Sequence, residues 1–311
     1  MATNWNGVFP AMVTPFAADG RLDKSQIAEL ADLLLSEGVS GIVIGGSTGE
    51  YYSMTVPERI ELFSIVKSHV AGKAVLIAGT SSINHAETLQ LTSEAKQIGY
   101  DGCMVLPPVY SLPTPVEIVK AFEDVAAIGL PVMVYNNPAR AAVGLTPDLV
   151  QKLARIKNIV AYKESSRDLY PIAEIFHTNR DRLSLFAGLE PYAGALLSRG
   201  AVGIVSTISN VCAREVVAYY EAYKNNDRAT LVRVQQIIDE LYALIPRVRM
   251  SNYAFVKCAM KALGRPGGFP RRPHYLADET LLQEIGSEIK KIYARAGIAP
   301  LGSVSEMRKA V

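Results

Sequence analysis

Residues 158–168 read NIVAYKESSRD, a short apolar run that ends in a lysine, a glutamate and two serines. Ile159 to Tyr162 has the length of a strand buried on both faces, and the polar residues after it mark its end. Seven other runs follow the same rule: GVFPAMV (7–13), GIVIGG (41–46), AVLIAG (74–79), GCMVL (102–106), PVMVY (131–135), LSLFAG (183–188) and GIVST (203–207). Helical patterns alternate with them at Lys24–Ser36, Val56–Val70, His85–Ile98, Val116–Ala127 and Pro147–Arg155. Thr55-Val56-Pro57-Glu58 has the threonine, proline and glutamate of a capped helix start. Eight β–α pairs predict a (β/α)8 TIM barrel over residues 1–224. A doubly wound open sheet would have fewer strands and a Gly-rich dinucleotide turn. Residues 225–311 hold long helical patterns, including Thr230–Leu244 and Leu281–Ala296, and a turn-rich linker that starts at Arg265-Pro266-Gly267-Gly268. They predict a C-terminal helical domain.

Composition narrows the function classes. The chain has 311 residues, 49% apolar and 20% charged, with a net charge of +2. So balanced a charge, without runs of one sign, points away from nucleic acid and from membrane surfaces. No stretch is long and apolar enough to span a bilayer, and MATNWNGVFP lacks the pattern of a secretion signal. Cys103, Cys212 and Cys258 are odd in number and far apart, as expected of buried thiols in a cytoplasmic protein. His69, His85, His177 and His274 have no ligand spacing, so no metal site is expected.

Barrel enzymes work at the C-terminal ends of their strands, which directs attention to the strand tips. A lysine there, with apolar neighbours below, loses solvation for its charged form. It becomes a free amine able to attack a carbonyl. Strand alternation puts Ile159, Ala161 and Lys163 on one face. The plainer alternative pairs Lys163 with Glu164 at the rim. Tyr135 ends the preceding strand and, if it faces the interior, is a neighbour of Lys163 and a proton donor. The alternative is a core aromatic. Ser47 and Tyr110 are hydroxyls that could relay the proton. Ser47-Thr48-Gly49 is a tight loop whose N–H groups could cradle a carboxylate, or an ordinary turn. Arg140 suits a second carboxylate, or is a surface arginine. The run Gly45-Gly46-Ser47-Thr48-Gly49 fits neither a dinucleotide turn nor a P-loop.

Together the G-V-F-P-A-M-V-T-P-F start, the G-G-S-T-G-E loop, Y-N-N-P-A-R and K-E-S-S resemble the dihydrodipicolinate synthase / N-acetylneuraminate lyase family. The resemblance spans nearly the whole chain. It implies that Lys163 forms an imine with pyruvate, with no organic or metal cofactor, and that Tyr135, Ser47 and Tyr110 move protons. It also implies that Thr48 and Gly49 hold the pyruvate carboxylate and that the Val205 carbonyl approaches the lysine. Tyr110 would serve a neighbouring subunit's site in a homotetramer, a dimer of dimers. Arg140 matches the synthase residue for the carboxylate of aspartate semialdehyde. The resemblance thus favours condensation of pyruvate with that aldehyde.

Several features depart from the synthase pattern. Ala141-Ala142 follow Arg140, the loop is G-S-T-G-E, and Asn252-Tyr-Ala-Phe-Val-Lys257 replaces a proline-containing stretch. Tyr51-Tyr52 stand where lysine-inhibited synthases have small residues, against feedback by lysine. Relatives that cleave, dehydrate or deaminate other 2-oxo acids, including sugar acids and hydroxyproline-pathway compounds, share Y-N-N-P and K-E-S-S. Two other classes remain: a phosphate-binding barrel enzyme, which would want Gly-rich loops after its last strands, and a non-catalytic sensor or scaffold on the same barrel.

Overall fold

The computed structural model describes residues 3 and 5–298. The extreme N-terminal residues 1, 2 and 4 and the end of the expected helical region, 299–311, lie outside the described residues. Eight parallel strands run β1 Gly7–Pro10, β2 Gly41–Ile44, β3 Val75–Gly79, β4 Gly102–Val105, β5 Val132–Asn136, β6 Ile159–Glu164, β7 Ser184–Ala187 and β8 Gly203–Ser206. Their spatial order is β1-β8-β7-β6-β5-β4-β3-β2. The ring closes between its end strands, where Ser40 N donates to Val8 O at 3.0 Å and Met12 N to Val43 O at 2.9 Å. The fold is a (β/α)8 barrel with C-terminal helices.

Alternation along each strand divides the apolar residues between two cores. Phe9, Val43, Ile77, Met133, Ala161 and Phe186 fill the barrel interior. Val8, Ile42, Leu76, Val134, Leu185 and Ile204 face the surrounding helices. The capped start at Thr55 forms as read: Thr55 N donates to Glu58 Oε2 at 2.8 Å and Glu58 N to Thr55 Oγ1 at 3.4 Å.

One expectation about β6 is corrected. Ile159 packs in the outer cluster, and Ala161 in the interior. Pairing with β5 shifts register there, from Val132↔Ile159 to Met133↔Ala161. Val160 is therefore the extra residue of a β-bulge, which reverses the phase of the strand above it. Ile159 does not share the lysine's face. Beyond the bulge, Tyr135 pairs with Lys163 and Asn136 with Glu164.

The C-terminal helices Arg228–Arg247, Asn252–Ala262 and Glu279–Arg295 share the outer apolar cluster with the barrel. The turn-rich linker among them is a strap tied to the barrel. Arg265 makes a two-pronged pair with Glu37, Nη1–Oε1 and Nη2–Oε2 both 2.7 Å, and its Nε donates to Asn210 O at 2.8 Å. Phe269 N donates to Phe16 O at 2.7 Å. Among the described residues no helix is long and apolar enough to cross a membrane, and no cluster of three His, Cys, Asp or Glu could hold a metal. The three cysteines are free and buried.

Candidate active site

The top of the barrel carries a pocket lined by Thr48, Tyr135, Arg140, Ser165, Thr207 and Tyr253, among others. Lys163 lies directly behind two of its lining residues, Tyr135 and Gly188; it is 3% exposed, with Nζ 4.0 Å from the centre of the Tyr135 ring. Gly188 borders it so closely that a Cβ there would lie 2.9 Å from Lys163 Cε and 2.7 Å from Glu164 O. The same Cβ would lie 2.1 Å from Ser165 Oγ, so a side chain at position 188 would force β6 and its side chains to shift.

Burial pushes the Lys163 amine down to about 8, and the negative charge of Glu190 opposes this only in part. At neutral pH roughly a tenth of the amine is then free, against a few parts in ten thousand for an ordinary lysine. The sign is testable. Below about 8 the ammonium has no lone pair, so imine formation should rise with pH and level off above that value. Stopped-flow rates of imine formation across the neutral to alkaline range check this. A rate still climbing steeply toward the ordinary lysine value would contradict it.

Glu164 is not the partner of Lys163. It lies on the opposite side of the strand, 1% exposed, and accepts from Tyr162 Oη at 2.6 Å, Ser166 N at 2.6 Å and Asn136 Nδ2 at 3.0 Å. With its carboxylate occupied there, the rim pairing considered for the lysine is absent.

The Tyr135 phenol is raised by burial, while a 2.7 Å hydrogen bond donated by Asn137 Nδ2 opposes the shift. It stays protonated at neutral pH and can act as a donor. Thr48 Oγ1 and Thr207 Oγ1 lie 3.0 Å apart, joining the loop after β2 to the end of β8. Ser47 is 9% exposed and approaches Tyr253, whose phenol burial raises to about 12 with Ser47 and Arg140 opposing. The Arg140 guanidinium lies over the Tyr253 ring, 5.0 Å from its centre.

A Cβ on Gly49 would meet Met12 O at 3.1 Å and Gly45 N at 3.2 Å, so this glycine lets the loop pack onto the chain after β1. Tyr110 is 86% exposed and does not line the pocket within this chain. Val205 is fully buried, its side chain in the barrel interior.

Sequence reading missed what the C-terminal helices bring. Tyr253 and Asn252 line the pocket from helix Asn252–Ala262. Tyr242 donates from Arg228–Arg247 to Glu190 Oε2 at 2.6 Å, and Glu190 Oε1 accepts from Ser206 Oγ at 2.7 Å. Lys257, fully buried, places Nζ 2.6 Å from Glu50 Oε1 at the end of the G-S-T-G-E loop. Its Nζ also donates to Thr14 O at 2.7 Å and Phe269 O at 2.8 Å. The only signal for Asn252, Tyr253 and Lys257 is the unusual Asn252–Lys257 stretch, which carries no pattern of its own, and Tyr242 has none.

Comparison with known proteins identifies the family. The Dihydrodipicolinate synthetase family matches residues 4–292. A DapA-like lyase of Rhizobium meliloti, described as uncharacterized, is 46% identical over 94% of this chain and 97% of its own. The 4-hydroxy-tetrahydrodipicolinate synthase of Methanoculleus marisnigri is 35% identical over 90% of this chain and 97% of its own. YagE, a prophage protein of that family from E. coli K12 whose crystal structure holds pyruvate, superposes with a TM-score of 0.87. It is 28% identical and covers 93% of this chain and 99% of its own. The chain belongs to the dihydrodipicolinate synthetase family, and it is a lyase of the class I aldolase type.

Proposed function

We propose that the protein joins pyruvate to a carboxylate-bearing aldehyde through an imine on Lys163, in the manner of 4-hydroxy-tetrahydrodipicolinate synthase, with aspartate semialdehyde as the first candidate. The observation that carries this reading is a buried lysine, its amine lowered to about 8, packed against the face of Tyr135, which lines the pocket at the barrel top.

The Lys163 amine adds to the pyruvate ketone, and the hydroxyl of the resulting carbinolamine takes a proton from Tyr135 and leaves as water, which gives the protonated imine. Loss of a methyl proton gives the enamine, with the protonated imine as electron sink. The methyl carbon attacks the aldehyde, whose oxygen takes a proton, and water then frees the adduct and the lysine. Thr48 and the loop N–H groups hold the pyruvate carboxylate, and the Val205 carbonyl faces the imine. Ser47 and Tyr110 relay protons, Tyr110 from a second subunit of a homotetramer. The exposure of Tyr110 beside Leu112, 86% and 62%, supports its use by another copy. The buried free cysteines support a reducing, cytoplasmic setting.

Borohydride reduction with pyruvate present, followed by peptide mass spectrometry, tests the reading. The expected product is a reduced pyruvyl adduct on Lys163. Folded protein that gains no adduct, from pyruvate or from a larger 2-oxo acid, would end the proposal.

A further inference from the structure

Two fixed cations stand at the pocket. Arg140 follows β5 and Arg167 follows β6; both line the cavity, and none of its described lining residues is a carboxylate. Among the described residues neither guanidinium makes an ion pair with an acid. Arg140 is braced against Tyr253. Arg167 is exposed and has no such brace.

The strand geometry connects these cations to the lysine. Pairing continues one residue beyond β6, since Ser165 N donates to Asn136 O at 2.8 Å. Alternation therefore sets Lys163 and Ser165 on one face, a two-residue step rising roughly 6–7 Å, and Arg167, in the bend that follows, lines the same pocket. Ser165 is 6% exposed and lines the same pocket, yet its Oγ, beside the Tyr135 phenol, completes no hydrogen bond. Asn252 Oδ1, across the pocket, is also buried without a partner. An unpaired buried polar atom is costly unless a ligand meets it. Two guanidinium groups in one pocket without an acid gain most from an anion between them.

We infer that Arg167 acts with Arg140 on a second carboxylate, at the end of the 2-oxo compound remote from Lys163, and that the preferred compounds are 2-oxo dicarboxylates. Aldol addition of pyruvate to an aldehyde that carries a carboxylate yields such a compound directly, with no atom lost. The inference thus holds for synthesis and for cleavage. It rests on the imine reading above, and Arg167 is its new element.

Reductive trapping on Lys163 tests it with three 2-oxo acids: pyruvate, 2-oxohexanoate and 2-oxoadipate. The last two match in chain length and differ by one carboxylate. In the wild type, half-saturation for 2-oxoadipate should lie about tenfold or more below that for 2-oxohexanoate, the scale of one charge-assisted contact. In Arg167→Gln the ratio of the 2-oxoadipate value to the pyruvate value should rise about tenfold, and Arg140→Gln should raise it further. Equal values for the two long acids in the wild type, or an unchanged ratio in Arg167→Gln, overturns the dicarboxylate inference alone. No adduct with any of the three overturns the imine reading and this inference with it. The ratio separates recognition from damage to the fold, which would move both acids together.

Discussion

Lys163→Ala is expected to lose turnover by roughly 10⁴-fold or more, the scale seen when a covalent nucleophile is removed. No other described residue can replace it. The second fully enclosed lysine, Lys257, is committed to Glu50 and two carbonyl groups. The fold should persist, because the side chain makes no salt bridge: Glu164 is occupied on the other face of the strand. A small residue at 163 leaves a void beneath Tyr135, yet it also relieves the desolvation of the amine. Steady-state assays, with circular dichroism as the fold control, decide the matter. Activity within tenfold of the wild type would remove covalent catalysis at this position.

The largest expected effect on stability lies away from Lys163. Lys257→Met should lower the unfolding free energy by about 3–5 kcal/mol, the usual result of removing one partner of a buried ion pair. Both side chains of the pair are about 1% exposed, so the Glu50 carboxylate would be left without a countercharge. Adding Glu50→Gln should return a large part of the loss, since the stranded charge is then gone. Urea unfolding of the single and double variants measures this. If the double variant is no better than Lys257→Met, the bonds to Thr14 and Phe269 carbonyls carry the stability instead. The same substitution should weaken pyruvate binding, because Glu50 closes the loop that contains Thr48.

The barrel was legible because its signal is local and repeated. Each apolar run, such as GIVIGG or NIVAY, carries its own length and its own terminating residues. Tyr135 and Lys163 could be placed side by side from alternation and strand order alone. The bulge at Val160 shows where that logic stops: counting from the start of β6 puts Ile159 on the wrong face, and nothing in NIVAYKE announces the extra residue. Gly49 carries a packing demand that the sequence did not show, since a Cβ there would crowd Met12 O and Gly45 N. Tyr253, Tyr242 and Lys257 were illegible for a different reason. They reach the site through tertiary packing of helices whose patterns encode only their apolar faces. Lys257 in particular sits within a buried helical run, where a lone sequence offers no partner for its charge.

The tie between Lys257 and the start of the chain bears on how the protein is made. Lys257 Nζ grasps the Thr14 carbonyl across 243 positions, and Arg265 grasps Glu37 across 228. A ribosome has therefore delivered all eight strands well before it delivers the cations that Glu37 and Glu50 require. During that interval Glu50 lacks its lysine, Glu37 has only the more distant Arg214 at 3.9 Å, and the loop bearing Thr48 has no clamp. The last helices thus act as a seal of completion: a chain cut short before residue 257 keeps Lys163 and lacks the cation that ties down Glu50 at the end of the Ser47–Gly49 loop.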